Sequence, residues 1–315
     1  MNRSPLQRAL SFLSFVVVLS LVPAFAKSAI DQHLRDSYLH KTFILRGFYT
    51  GNSLHYDAAG VSTGERNVGD WTTDGVVRID DIGISGNRLL IRGSRVYLGW
   101  VKNAGLTELR DVTTKAKSDK PSRVLRIDAE LGPGAGTDDA ADTAFAYVFL
   151  TSQDNFVDLV PDYWKRCVRA ALGIAKDREA SHCQFSSDFF AIPGVVAHAD
   201  SPTAAEPQPA TAWEPGHYPS VFHPREGQKL PQAIYQPGAE FSEPARRTKF
   251  QGVVTLKLVV DEEGRPTHIR IVNPLGCGLD AKAVQAVENW KFTPAEKESQ
   301  PVSAGIAVEV DFHLY

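Results

Sequence analysis

The strongest pattern in this 315-residue chain is an alternation of apolar and polar residues near the C-terminus. In residues 252–260 apolar side chains recur at every second position, which places them on one face of a strand. Residues 261–265 form a turn in which Gly264 is free to adopt a positive φ, and residues 267–273 return as a second strand. One face of this hairpin must therefore be buried against another element.

The residues that follow supply that element. Residues 279–290 carry an apolar stripe at helical spacing, and residues 302–314 alternate again as a long third strand. The order β-β-α-β predicts an α+β domain in which the helix packs on a three-stranded antiparallel sheet. We assign structural roles in this domain to Gly252, Gly264, Leu279, Trp290 and Phe292.

Residues 1–26 have the pattern of an export signal. Two arginines precede an uncharged apolar run at 9–22, and Pro23 then leads into the small-x-small sequence Ala24-Phe25-Ala26, which is typical of a cleavage site. An uncleaved anchor is the alternative, because residues 9–26 are at the short limit of what spans a bilayer. Either way the rest of the chain is expected outside the cytoplasm, and the inner membrane is a partner only if the signal stays uncleaved.

The overall composition narrows the function classes. The chain is 43% hydrophobic and carries a formal net charge of −3, which is ordinary for a globular protein. These values exclude a polytopic membrane protein and argue against nucleic acid as a partner.

A proline- and alanine-rich stretch at 198–217 divides the chain. It has no hydrophobic period and reads as an extended linker that reaches roughly 60 Å at most. It separates a mixed α+β module of unassigned role at 30–195 from the C-terminal domain at 218–315. Within the module we expect strands at 41–49, 76–84, 88–101 and 123–131, a helix at 140–150 capped by Asp138-Asp139, and a helix at 160–172.

The chain has three cysteines. Cys167 and Cys183 are close enough in sequence to form a disulfide after export, whereas Cys277 lies beyond the linker and is expected to stay unpaired. A metal site at Cys167, His182 and Cys183 is the alternative, but no fourth ligand stands at a recognisable spacing.

The module contains no catalytic signature. The glycine-rich run at 132–136 lacks the Lys-Ser/Thr of a phosphate-binding loop, and it is followed by acidic residues. We therefore predict no enzymatic activity, no catalytic residues, no metal and no cofactor.

The C-terminal pattern, from about residue 235 to the end, resembles the TonB C-terminal domain family. The order and spacing of several short pieces carry the resemblance. They are Ala245-Arg246-Arg247, Gln251-Gly252-Val253-Val254, Val260-Asp261-Glu262-Glu263-Gly264-Arg265-Pro266, Ile269-Arg270-Ile271, Leu279-Asp280-Ala281-Lys282-Ala283, Trp290-Lys291-Phe292-Thr293-Pro294 and Val308-Glu309-Val310-Asp311-Phe312.

The resemblance implies a non-enzymatic periplasmic protein of a Gram-negative envelope that acts in TonB-dependent transport or energy transduction. The family binds an extended segment of an outer-membrane receptor, which adds as a strand to the edge of the sheet. A homodimer is a second expected partner. The partner-binding residues that it implies here are Phe241, Ser242, Ile306, Val308, Val310 and Phe312.

Two alternatives stay open at this point. The side chains of Val308, Val310 and Phe312 also suit a purely structural core, in which case the binding surface is their backbone. In addition, the module at 30–195 stands where the family has a spacer, so a periplasmic sensor or ligand-binding protein is the alternative function. Its C-terminal domain would then serve only for dimerisation or tethering.

Overall fold

The computed structural model describes residues 24–64, 66–110, 123–174, 182–195 and 229–314, with residues 24–28 as backbone only. The expected export signal up to residue 23 and the expected linker at 198–217 lie outside these residues. Within them, no helix combines the length and hydrophobicity that a bilayer crossing requires.

The first part of the chain is a mixed α+β structure. Its elements in chain order are α1 (Ala24–Tyr38), β1 (Thr42–Ile44), a 3-10 turn (Arg46–Phe48), β2 (Ser53–Tyr56), β3 (Ser62–Thr63), α2 (Trp71–Asp74), β4 (Val76–Ser85), β5 (Arg88–Arg95), β6 (Leu98–Val101), β7 (Gly105–Glu108), β8 (Val124–Glu130), α3 (Asp138–Val148), α4 (Phe156–Leu159), α5 (Asp162–Ala171) and α6 (Ser187–Phe190).

Six of these strands form one sheet in the order β1-β4-β5-β8-β2-β3, in which only β2 and β8 are parallel neighbours. Helices α1 and α3 pack together on one face of this sheet. The alternating residues of the strands point into the core between the layers, where Leu34 of α1 and Phe145 of α3 are buried with Ile79, Leu89 and Leu125 of the sheet.

Two of the strands expected from the sequence are shorter in the structure. The strand expected at 41–49 ends at Ile44, because a 3-10 turn begins at Arg46 and contains Gly47 with a φ of 76°. The strand expected at 88–101 divides after Arg95, and β6 then pairs with β7 in a separate small sheet. Arg95 is buried there, and its guanidinium donates to the carbonyl oxygens of Tyr49, Gly51 and Asp74.

The helices also begin differently from the expectation. Thr137 caps α3 by accepting a hydrogen bond from the Ala140 N–H, whereas Asp138 and Asp139 lie in the first turn. The helix expected at 160–172 is α5, which begins at Asp162 with Pro161 at its N-cap position, and the separate short helix α4 precedes it.

The C-terminal part has the order expected for its central elements. Strands β10 and β11 form a hairpin, α8 follows, and β15 returns on the other side of β10 to give the antiparallel sheet order β11-β10-β15. The elements are β9 (Gln232–Tyr235), α7 (Glu243–Thr248), β10 (Gly252–Val260), β11 (Pro266–Asn273), α8 (Leu279–Val287), β12 (Lys291–Thr293), β13 (Ala295–Lys297), β14 (Gln300–Val302) and β15 (Ala304–Phe312).

One hydrophobic core joins the two parts of the chain. Trp71 of α2 and Trp164 of α5 have ring centroids 5.3 Å apart, and Trp100 of β6 stacks on Trp164 at 5.1 Å. The same cluster of buried residues continues into the C-terminal part through Leu275 and Cys277.

Backbone hydrogen bonds across the same junction align the loop at 274–278 with β6. The N–H of Trp100 donates to the Leu275 carbonyl oxygen at 2.8 Å, and the N–H of Cys277 donates to the Leu98 carbonyl oxygen at 2.6 Å. The N–H of Gly278 completes the contact by donating to the hydroxyl of Thr72 at 2.9 Å. The junction is therefore specified by backbone geometry as well as by apolar packing.

The junction also covers one edge of the C-terminal sheet. Helix α5 runs beside β11, which is an edge strand. A disulfide joins Cys167 of α5 to Cys183, and the Cys183 sulfur lies 3.9 Å from the carbonyl oxygen of Val272 in β11. An edge strand with free N–H and C=O groups is a template for unwanted pairing, and here the first part of the chain lies against it.

Gly276→Ala tests the junction directly. Gly276 has a φ of +86°, and a Cβ there would stand 2.7 Å from the Leu98 carbonyl oxygen. We expect a loss of unfolding free energy of about 1–2 kcal/mol from the left-handed conformation and of about 1–3 kcal/mol more from the clash. Because Cys277 is buried and free, its thiol should also become reactive toward Ellman's reagent in the variant.

Gly86→Ala is the matched control, because Gly86 also has a positive φ of +62° but a Cβ there would meet nothing within 4 Å. Gly86→Ala should lose only the part of the unfolding free energy that comes from the left-handed conformation, and its Cys277 thiol should stay unreactive. Equal losses in the two variants, measured by urea unfolding, would contradict a tightly packed junction.

A buried carboxylate holds the loop at 274–278 in shape. Asp280 is fully buried in the first turn of α8, and its carboxylate accepts hydrogen bonds from the N–H groups of Leu275 and Gly276. Burial raises the pKa of Asp280 to about 7, against the lowering effect of these donors, and the neighbouring Asp70 adds to the rise.

This raised pKa predicts a pH dependence that Asp280→Asn should remove. Between the unfolded pKa near 4 and the folded pKa, the folded state binds more protons, so this group makes stability fall as the pH rises. We expect Asp280 to lower the free energy of unfolding by up to about 1.4 kcal/mol for each pH unit in this range. Asp280→Asn should lack this contribution. Urea unfolding from pH 4.5 to 8 measures it, and parallel curves for the two proteins would contradict the assignment.

Candidate functional site

Strand β15 is the open edge of the C-terminal sheet. It pairs with β10 along its whole length, from Gly252 opposite Phe312 to Val260 opposite Ala304. Among the described residues no strand pairs with its other side. Since N–H and C=O groups of a strand point alternately to its two sides, about half of those in β15 face outward and remain available to another chain.

A groove runs along this edge. It has a volume of about 320 Å³ and lies between β15 and the short two-stranded sheet formed by β9 and β12. Eight of its ten lining residues have apolar side chains, and four of the ten belong to β15. The lining residues are Leu230, Pro231, Ala233, Gln236, Trp290, Phe292, Ile306, Ala307, Val308 and Glu309.

Two residues that the sequence marks as structural shape the groove. The N–H of Phe292 donates to the Gly264 carbonyl oxygen at 2.9 Å, and a Cβ on Gly264 would stand 2.0 Å from the Phe292 carbonyl oxygen. The indole N–H of Trp290 donates to the Pro237 carbonyl oxygen at 3.1 Å. These contacts hold β9 and β12 at a distance from β15.

An ion pair lies beside the residues that open the groove. The Lys229 ammonium is 2.6 Å from a carboxylate oxygen of Glu296. Lys229 directly precedes Leu230 and Pro231, which line the groove, and the ion pair neutralises the Lys229 charge there.

The two faces of β15 differ in chemistry. Ile306 and Val308 point toward the core but are only partly buried, because they are at the edge of the sheet. Ala307, Glu309 and Asp311 alternate with them and are exposed on the opposite face, and Ala307 and Glu309 also border the groove at the strand edge. Asp311 is hydrogen-bonded to the ring of His313.

The structure brings together only some of the residues expected to bind a partner. Ile306 and Val308 line the groove. Val310 and Phe312 are 5% and 1% exposed, so their side chains belong to the core.

Phe241 and Ser242 do not line the groove. The ring of Phe241 packs edge-on against Phe312 at 5.6 Å between centroids. Ser242 is buried and caps α7, where its hydroxyl accepts from the Ala245 N–H and donates to the Cys277 carbonyl oxygen. Both residues therefore take part in packing near the junction.

The remaining structural assignments describe supporting contacts. Gly252 has a φ of +155°, and a Cβ there would stand 2.9 Å from a methyl carbon of Leu275. Leu279 is fully buried at the start of α8.

The residues of β9 are not among those that the sequence predicts to bind a partner. Leu230 and Ala233 line the groove, and Ile234 and Tyr235 beside them are 66% and 56% exposed. The signal was available in the short run Leu230-Pro231-Gln232-Ala233-Ile234-Tyr235, whose β-branched and aromatic residues favour a strand. Glu309 is also absent from the predicted partner-binding residues, because it alternates with the apolar residues of β15.

Across the described ranges, no group of three or more His, Cys, Asp or Glu side chains is arranged to hold a metal ion. Burial raises the pKa of the Cys277 thiol to about 12, so this cysteine is held in its unreactive protonated form.

Comparisons with known proteins find matches in the C-terminal part of the chain. Residues 237–314 match the family described as the C-terminal part of the Gram-negative bacterial TonB protein. Protein tonB2 of Pseudomonas aeruginosa PAO1 is 32% identical over 82 residues, which cover 26% of this chain and 30% of that protein.

The matched part is therefore less than a third of the curated relative. The solution structure of the Pseudomonas aeruginosa TonB C-terminal domain overlaps 27% of this chain and 86% of its own, with 16% identity and a TM-score of 0.23. The resemblance to the TonB C-terminal domain family that the sequence predicts is therefore confirmed for residues 237–314.

Proposed function

We propose that this chain is a non-enzymatic protein of the cell envelope that docks an extended segment of a partner protein on the open edge of β15. Membership of residues 237–314 in the TonB C-terminal family supports a role in transport across the envelope. The partner that suits this role is a segment of an outer-membrane receptor, and the compartment that suits it is the periplasm.

The observation that carries the proposal is the coincidence of an unpaired strand edge with an apolar groove. An added strand gains main-chain hydrogen bonds from β15, and its alternate side chains gain burial in the groove. Either feature by itself is common. Together they provide the main-chain hydrogen bonds and the side-chain contacts that recognition by strand addition requires.

The packing of the first part of the chain supports the choice of edge. Helix α5 and the Cys167–Cys183 disulfide lie against β11, so that edge has no room for another strand. We propose that residues 24–195 act as a brace, which covers one edge of the TonB-like sheet and leaves the other for the partner.

Proline substitution at two adjacent positions of β15 tests the docking. In an antiparallel ladder the N–H of either Ala307 or Val308 points away from β10, and the other points toward it. The variant that loses the outward N–H should keep its fold, because proline is tolerated at a free edge. It should bind seven-residue peptides taken from the extended segments of outer-membrane receptors at least about tenfold more weakly.

Circular dichroism and the unfolding midpoint identify which of Ala307→Pro and Val308→Pro keeps the sheet, and fluorescence anisotropy gives the affinities. The other variant, which removes a bond to β10, should be destabilised. Unchanged peptide affinity in the well-folded variant would contradict docking on the β15 edge.

A further inference from the structure

We infer that the segment received by β15 alternates apolar residues with basic ones, lysine or arginine. This inference rests on the proposed docking and deepens it, because it names the chemistry of the partner. It follows from the different surfaces that β15 presents above and below the plane of the sheet.

On the core side, an added strand meets an apolar surface. Every second side chain of that strand points toward the groove, where Ile306 and Val308 are partly buried beside Trp290 and Phe292. Lys229 precedes Leu230 on this side, and its ammonium is paired with Glu296. Apolar side chains fit this half of the alternation.

On the opposite side, the same strand meets carboxylates. Glu309 and Asp311 are exposed, and their neighbours on β10 are the uncharged residues Thr255 and Val253. Lys257 lies opposite Ala307 on β10, so Glu309 and Asp311 stand nearer than it to an incoming strand. His313 is hydrogen-bonded to Asp311 and leaves Glu309 as the centre of the acidic surface.

Cross-strand neighbours on one face of a sheet interact directly, and like charges placed opposite each other are unfavourable. A basic residue opposite Glu309 is therefore preferred over a neutral one, and an acidic residue is disfavoured. Because these side chains are exposed to solvent, we expect an affinity ratio of about 3 to 10 between basic and acidic peptides, decreasing with salt.

Three seven-residue peptides with capped ends test the inference against the full chain. All have valine at the odd positions, and the even positions are lysine, glutamine or glutamate. We expect the lysine peptide to bind most tightly and the glutamate peptide most weakly in fluorescence anisotropy at 50 mM salt, with the difference reduced at 300 mM.

The double variant Glu309→Lys/Asp311→Lys should reverse this order, because both carboxylates are exposed and their replacement leaves the core intact. Asp138→Lys/Asp139→Lys is the matched control. It changes the net charge by the same amount at the exposed start of α3, away from the C-terminal sheet, and should leave the order unchanged.

The outcomes separate the two claims. If the lysine and glutamate peptides bind equally, or if the order survives in Glu309→Lys/Asp311→Lys, the basic alternation is overturned while docking on β15 stands. If receptor-derived peptides bind and none of the three designed peptides does, the alternation is likewise overturned. If no extended peptide of either kind binds, the proposed function fails together with the inference.

Discussion

The packing of the loop at 274–278 against β6 is the contact on which the rest of the structure depends. It joins two parts of the chain that are far apart in sequence, and it does so with backbone hydrogen bonds in both directions beside a cluster of three tryptophans. Gly276 is required there because any side chain would meet the backbone of Leu98. Asp280 then satisfies two N–H groups that the tight loop leaves without partners.

This contact places the two edges of the C-terminal sheet in different surroundings. Once the loop is docked, α5 and its disulfide lie along β11, and β15 is left without a neighbouring strand among the described residues. A three-stranded sheet by itself offers two similar edges and so no reason for a partner to choose between them. In the proposed docking, the first part of the chain leaves β15 as the edge that a partner can use, and the groove beside β15 receives side chains of that partner.

The central elements of the C-terminal domain were predictable because they follow strict periods. The alternation in β10 and β15 and the stripe in α8 depend only on which face is buried. The ends of β1 at Ile44 and of β5 at Arg95 were not predictable in the same way. The first depends on the conformation of Gly47, and the second on carbonyl groups distant in sequence that bind the Arg95 guanidinium. For a related reason, the sequence predicts only one wall of the groove. Ile306 and Val308 lie on a recognisable strand, whereas the opposing wall comes from β9, whose exposed residues carry no burial pattern.

Hydrogen exchange of the backbone amides of β11 and β15, measured by NMR on the full chain, tests the central claim most directly. The account predicts that the outward amides of β11 are protected in the free protein, because α5 lies against them, and that those of β15 exchange rapidly. Addition of a receptor-derived extended peptide should then slow exchange along β15 and leave β11 unchanged. Rapid exchange at the outward amides of β11, or protection of β11 rather than β15 by the peptide, would contradict it.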